Sequence, residues 1–102
     1  MSSEDREAMR RSARKASQFL KAISHEGRLM ILCHLASGEK SVTELEQLLA
    51  IRQTAVSQQL SRLRLEGLVT PRRAGKTVYY SLTDDRPRQV IEVLYELFCS
   101  EP

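Results

Sequence analysis

Two sets of side chains in this chain could do chemistry. The first lies in the stretch Arg52-Gln53-Thr54-Ala55-Val56-Ser57-Gln58-Gln59-Leu60-Ser61-Arg62-Leu63-Arg64-Leu65-Glu66-Gly67. Val56, Leu60 and Leu63 recur at helical spacing and share one face. At about 100° per residue, Thr54, Ser57, Gln58, Ser61 and Arg62 point the other way. That outer face is short, polar and free of carboxylates until Glu66. Gln pairs with adenine edges, Arg with guanine or phosphate, and Ser with either, so the face suits a DNA major groove. Gln53, Thr54, Ser57, Gln58 and Arg62 are therefore assigned to bases and nearby phosphates. A solvated surface helix is the bland alternative. Leu65 also points outward and is expected to pack under whatever follows. The second set is Cys33 and Cys99, the only two cysteines, with His25 and His34 the only histidines.

The elements around these residues follow from pattern. Residues 4–23 read as a helix with Ser3 as N-cap and Glu4 and Asp5 in its first turn. Ala13, Ala16, Phe19, Leu20 and Ile23 form its apolar side. Arg10, Arg11, Arg14 and Lys15 form a solvated basic cluster. A second helix opens at Ser24-His25-Glu26, runs to about Ser37 and stops at Gly38. Leu29, Leu32, Leu35 and Ala36 give it a buried stripe with Cys33 at the margin. His25 reads as a helix-start residue, not a ligand. Ser41-Val42-Thr43-Glu44 is a capping box that starts a short helix over 42–49. Ala50-Ile51-Arg52 is a turn, and the polar-faced helix follows over about 53–66. Two short helices and a tight turn make a helix-turn-helix.

Gly67 ends that helix. Leu68-Val69-Thr70-Pro71-Arg72-Arg73 and Thr77-Val78-Tyr79-Tyr80-Ser81-Leu82 then flank Ala74-Gly75-Lys76, which predicts a hairpin over about 68–82. A basic hairpin after a reading helix is a wing. Arg72, Arg73 and Lys76 are placed to hold it on the phosphate backbone. Asp84-Asp85-Arg86-Pro87 opens a last helix over about 86–100. Its stripe of Val90, Ile91, Val93, Leu94, Leu97 and Phe98 is too wide for a terminal helix to leave in water. With the first helix it predicts a homodimer interface. The fold class is mainly α with a β-hairpin wing, one winged helix-turn-helix domain over residues 1–102.

The chain carries +3 overall. Residues 52–76 hold six basic side chains against Glu66 alone, a local +5 that marks a polyanion-binding surface. No apolar run is long enough to span a bilayer, and the first seven residues are charged where a signal peptide is apolar. A cytoplasmic protein is expected, with no membrane partner and no permanent disulfide. No Gly-rich phosphate loop or catalytic His motif is present, so no enzyme is expected. A winged helix serving as a protein–protein module is the rival from another class, and the basic reading face argues against it.

Residues 55–69, Ala-Val-Ser-Gln-Gln-Leu-Ser-Arg-Leu-Arg-Leu-Glu-Gly-Leu-Val, resemble the reading helix and strand entry of the ArsR family. The likeness extends from about residue 15 to 99. It implies a small dimeric repressor that binds double-stranded operator DNA and releases it on sensing an inducer. One departure is Arg52, where many members carry a Ser N-cap. One metal site of that family uses Cys-x-Cys where Ser41 and Thr43 stand here. Another uses His on the final helix, and no His follows His34. No metal and no cofactor are therefore expected. The segments around Cys33 and Cys99 instead resemble the persulfide-sensing SqrR/BigR subgroup. That resemblance implies persulfides or polysulfides as inducer and an intrasubunit polysulfide bridge between Cys33 and Cys99. A metal- or general thiol-redox-responsive repressor is the rival within the family, and two packed free cysteines are the bland alternative. By the helical wheel, Cys99 falls off the apolar stripe near Glu92, Tyr95 and Glu96. A helix C-terminus disfavours its thiolate, and a bordering core disfavours that of Cys33.

Overall fold

The computed structural model describes residues 2–99. In chain order they form α1 (Ser3–Ile23), α2 (Glu26–Ala36), β1 (Lys40–Ser41), α3 (Val42–Leu49), α4 (Gln53–Leu65), β2 (Val69–Ala74), β3 (Thr77–Leu82) and α5 (Arg86–Phe98). The expected extension of the last helix to residue 100 lies outside the described residues.

Helix starts follow their local chemistry. The N-cap of α1 is Ser2, one residue before the expected Ser3. Ser2 Oγ accepts from the Asp5 N–H at 3.1 Å, and Asp5 accepts from the Ser2 N–H at 3.4 Å. Only a cap three residues ahead of Asp5 can close that reciprocal pair. At α2 the cap is His25, whose Nδ1 accepts from the N–H groups of Gly27 (3.0 Å) and Arg28 (3.4 Å). Ser41 and Glu44 form the expected capping box on α3. Ala50 then turns the chain with a left-handed backbone at φ 55. Arg52 caps α4 with backbone alone and makes no side-chain cap bond.

The end of α4 sets where the wing begins. Leu68 N–H donates to Leu63 O and Gly67 N–H to Arg64 O, both at 2.9 Å. This is the Schellman closure, with buried Leu68 packing back towards buried Leu63. It needs Gly67 at φ +76. A Cβ there would meet nothing within 4 Å, so the whole cost of a side chain is backbone. Gly67→Ala is expected to lower stability by about 1–2 kcal/mol, read from the urea midpoint. An unchanged midpoint would mean the left-handed turn is not needed.

β2 and β3 pair antiparallel from Val69↔Leu82 to Ala74↔Thr77, across a two-residue turn of Gly75 and Lys76. The sheet has a third strand that sequence pattern did not reveal. β1 pairs with β3 through Lys40↔Tyr80 and Ser41↔Tyr79, giving the order β1-β3-β2. Two residues are too few to show alternation.

One core joins the parts. Ala22 and Ile23 of α1, Ile31, Leu32 and Leu35 of α2, and Leu45 of α3 meet Val56, Leu60 and Leu63 of α4 and Leu68 and Val69 at the wing base. The inward face of α4 is therefore the expected one. Leu65 does not pack under the wing as expected; it is 82% exposed. The chain turns away at Gly67 and leaves nothing above it. Large apolar side chains also stand exposed on α1 (Met9, Leu20) and α5 (Val93, Leu97, Phe98). No described helix is long and apolar enough to cross a membrane.

Candidate nucleic-acid interface and thiol pair

α4 presents Gln53, Thr54, Ser57, Gln58 and Arg62 as exposed side chains. The α3–turn–α4 core holds this helix from behind through Val56, Leu60 and Leu63. Arg62 Nε donates to Glu66 Oε1 at 3.2 Å. That ion pair is solvent-exposed on both sides and worth little by itself. It holds the guanidinium against the helix C-terminus, where its charge is favoured.

The three wing cations do not share one environment. Arg73 and Lys76 are exposed, with Lys76 at the tip beside Gly75. Arg72 is engaged with its own protein. Its fork donates to both carboxylate oxygens of Glu39, at 3.0 and 2.6 Å, and its guanidinium lies 5.0 Å from the centre of the Tyr79 ring. The hydrogen bonds from Arg72 hold the Glu39 carboxyl below the usual carboxylate range. Arg72 thus braces the wing base against the segment before β1. Glu39 and Arg72 lie 33 residues apart in sequence, so no local pattern announces the pair.

The two cysteines are free, and both line one apolar groove. α2 supplies Leu29, Met30 and Cys33; α5 supplies Ile91, Leu94, Tyr95 and Phe98, with Cys99 at its end. The groove encloses about 440 Å³. Cys33 is half-buried and Cys99 is exposed. Burial pushes the Cys33 thiol up, and the neighbouring charge of an ionised Cys99 pushes it further. Cys99 does stand beside Tyr95, as the wheel projected. Tyr95 lines the groove too, so Cys99, one turn further on with its N–H still bonded to Tyr95 O, edges it at the end of α5. Leu94, half-buried, faces this groove as well.

His25 is a cap, as expected, and His34 donates nothing to a cluster. Among the described residues no three His, Cys, Asp or Glu side chains gather as a metal site. Sequence reasoning missed Arg28. Its guanidinium donates to Ala22 O, Lys21 O and Gln59 Oε1 and joins three helices.

A helix-turn-helix with an exposed amide-rich second helix and a basic hairpin beside it defines a winged-helix DNA-binding regulator. Residues 25–70 match the profile of the bacterial regulatory protein arsR family. The chain is 46% identical over 93 residues to the biofilm growth-associated repressor of Agrobacterium fabrum, covering 91% of this chain and 80% of that protein. It is 43% identical to the transcriptional activator HlyU of Vibrio cholerae, over 89% of this chain and 84% of that one. Its fold superposes on the crystal structure of the transcriptional repressor BigR from Xylella fastidiosa with TM-score 0.87, at 44% identity, covering 94% and 98% of the two chains. The protein belongs to the ArsR family of bacterial transcription regulators and is not an enzyme.

Proposed function

We propose that the protein is a dimeric, cytoplasmic repressor that reads operator DNA while Cys33 and Cys99 are reduced. It lets go when reactive sulfur links the two. The observation that carries this reading is the convergence of both thiols on one apolar groove between α2 and α5. The relatives named as repressors support the sign of the regulation. Gln53, Thr54, Ser57, Gln58 and Arg62 meet bases and adjacent phosphates, and Arg73 and Lys76 carry the wing.

The groove favours sulfane sulfur over peroxide. Both reagents are attacked by a thiolate, and burial holds Cys33 away from that state, so what favours sulfane sulfur is that it can lengthen the link. A persulfide, RSSH, brings electrophilic sulfur to the pair. A cysteine takes its outer sulfur and RSH leaves. When both cysteines are so modified, the terminal sulfur of one attacks the inner sulfur of the other. Hydrosulfide is expelled and one added sulfur remains in the bridge. The two electrons lost by the thiols leave on that hydrosulfide, so no further oxidant is required. Added sulfur also relaxes the separation of about 7 Å or less between Cα atoms that a plain disulfide demands. The link would tie α5 to α2 and bias the dimer towards a form of lower operator affinity.

The test is release from DNA together with intact-protein mass. Cys33→Ser and Cys99→Ser should each bind operator as the wild type does, since neither lies on α4 or the wing. Each should lose release by glutathione persulfide. The wild type should gain added sulfur less the hydrogens lost on bridging, and dithiothreitol should reverse it. A single variant released as readily as the wild type would sink the paired mechanism. Equal response to hydrogen peroxide would favour a general thiol-redox repressor.

A further inference from the structure

We propose that Arg28 is a positioning residue for DNA reading, one that fixes the roll of α4 against the end of α1. The proposal rests on α4 being the helix that enters DNA. A helix leaves its last carbonyls without partners inside the helix, and its C-terminus carries partial negative charge. At the end of α1, Arg28 Nε donates to Ala22 O at 2.6 Å and Nη2 to Lys21 O at 3.4 Å. Ala22 is fully buried, so this end of the fork is anchored in the core. The remaining arm, Nη1, donates to Gln59 Oε1 at 3.2 Å.

Gln59 is the half-buried amide of α4. Its neighbour Gln58 is exposed on the reading face. The pair of adjacent residues therefore converts the Arg28 bond into a setting for Gln58. At an outer radius of about 5 Å, a 1 Å slip at Gln59 turns the helix by about 10°. A shift of that size carries an amide out of the narrow range in which it bonds a base edge. Only a planar fork serves both helices at once. Lysine keeps the charge and caps α1, but it presents no second fixed arm to Gln59. A residue that merely stabilised the fold would change melting and leave sequence preference alone.

The experiment compares a duplex enriched by the wild-type protein from a randomised pool with an unselected duplex. Arg28→Lys and Gln59→Leu should each cut the preference for the selected duplex about tenfold. Affinity for the unselected duplex and the salt slope should not move, because neither residue neutralises a phosphate. The double variant should be no worse than either single one, since both break the same bond. Folded variants that keep the preference overturn the positioning role, as does a double variant with the product of the single losses. Gln59→Leu alone decides the matter if Arg28→Lys does not fold. A wild type that enriches no duplex overturns the DNA-reading assignment itself, which separates that failure from this one.

Discussion

Leu97→Glu is expected to give a folded monomer that binds operator about 10²–10⁴-fold more weakly than the wild type. Leu97 is 68% exposed in the single chain, so glutamate there disturbs no core. Exposed apolar side chains stand on the neighbouring helices α1 and α5: Met9 and Leu20 on one, Val93 and Leu97 on the other. Phe19 of α1 and Val90 of α5 line a shared cleft, where the last turns of α1 meet the first turns of α5. A second copy covering this surface would bury the new carboxylate without a partner, a cost of several kcal/mol. Loss of the dimer separates two reading helices that otherwise bind one duplex together. Sedimentation velocity checks the mass, and a titration of operator checks the affinity. A Leu97→Glu protein that sediments as a dimer would place the interface elsewhere. Leu94 is the poorer probe, because it lines the thiol groove.

Operator binding is expected to weaken about 10³-fold between 50 and 200 mM salt. Arg62, Arg73 and Lys76 are the exposed cations of the reading face and wing. In a dimer they neutralise about six phosphates, and each contributes about −0.9 to the slope of log affinity against log salt. Arg72 is left out of that count because both carboxylate oxygens of Glu39 engage its fork, whereas Glu66 takes only the Nε of Arg62. Lys76→Ala should weaken selected and random duplexes alike and flatten the slope. Gln58→Ala should cost about 1–3 kcal/mol on the selected duplex and little on random DNA. Equal losses on both duplexes would remove Gln58 from the base-reading set. A slope unchanged by Lys76→Ala would show that the wing tip stands clear of the backbone.

Local signals carried much of this architecture. The spacing of Val56, Leu60 and Leu63 oriented α4, because a helix repeats its faces within a few residues. Ser41 with Glu44 and the alternation through Val78, Tyr80 and Leu82 marked α3 and β3 for the same reason. What stayed hidden depends on residues far apart. The Arg72–Glu39 brace, the Arg28–Gln59 bond and the meeting of Cys33 with the end of α5 arise only when helices and strands pack. For Cys99 the wheel gave the right neighbour, Tyr95, but could not show that α2 lies across from it and turns that margin into a groove. Leu65 shows the reverse: an outward apolar residue invites a partner, yet the Gly67 turn carries the chain elsewhere.

The sheet order places β2 at an outer margin, with only β3 beside it. A strand so placed offers a template on which another chain can polymerise. Pro71 interrupts that template because it has no N–H to give, and Arg72 and Arg73 follow it with exposed charge. Pro71 and the two charges after it thus oppose the addition of a further strand at this edge. Erasing the wing's charge altogether would also remove part of that edge protection, so a role in DNA binding is best dissected one cation at a time.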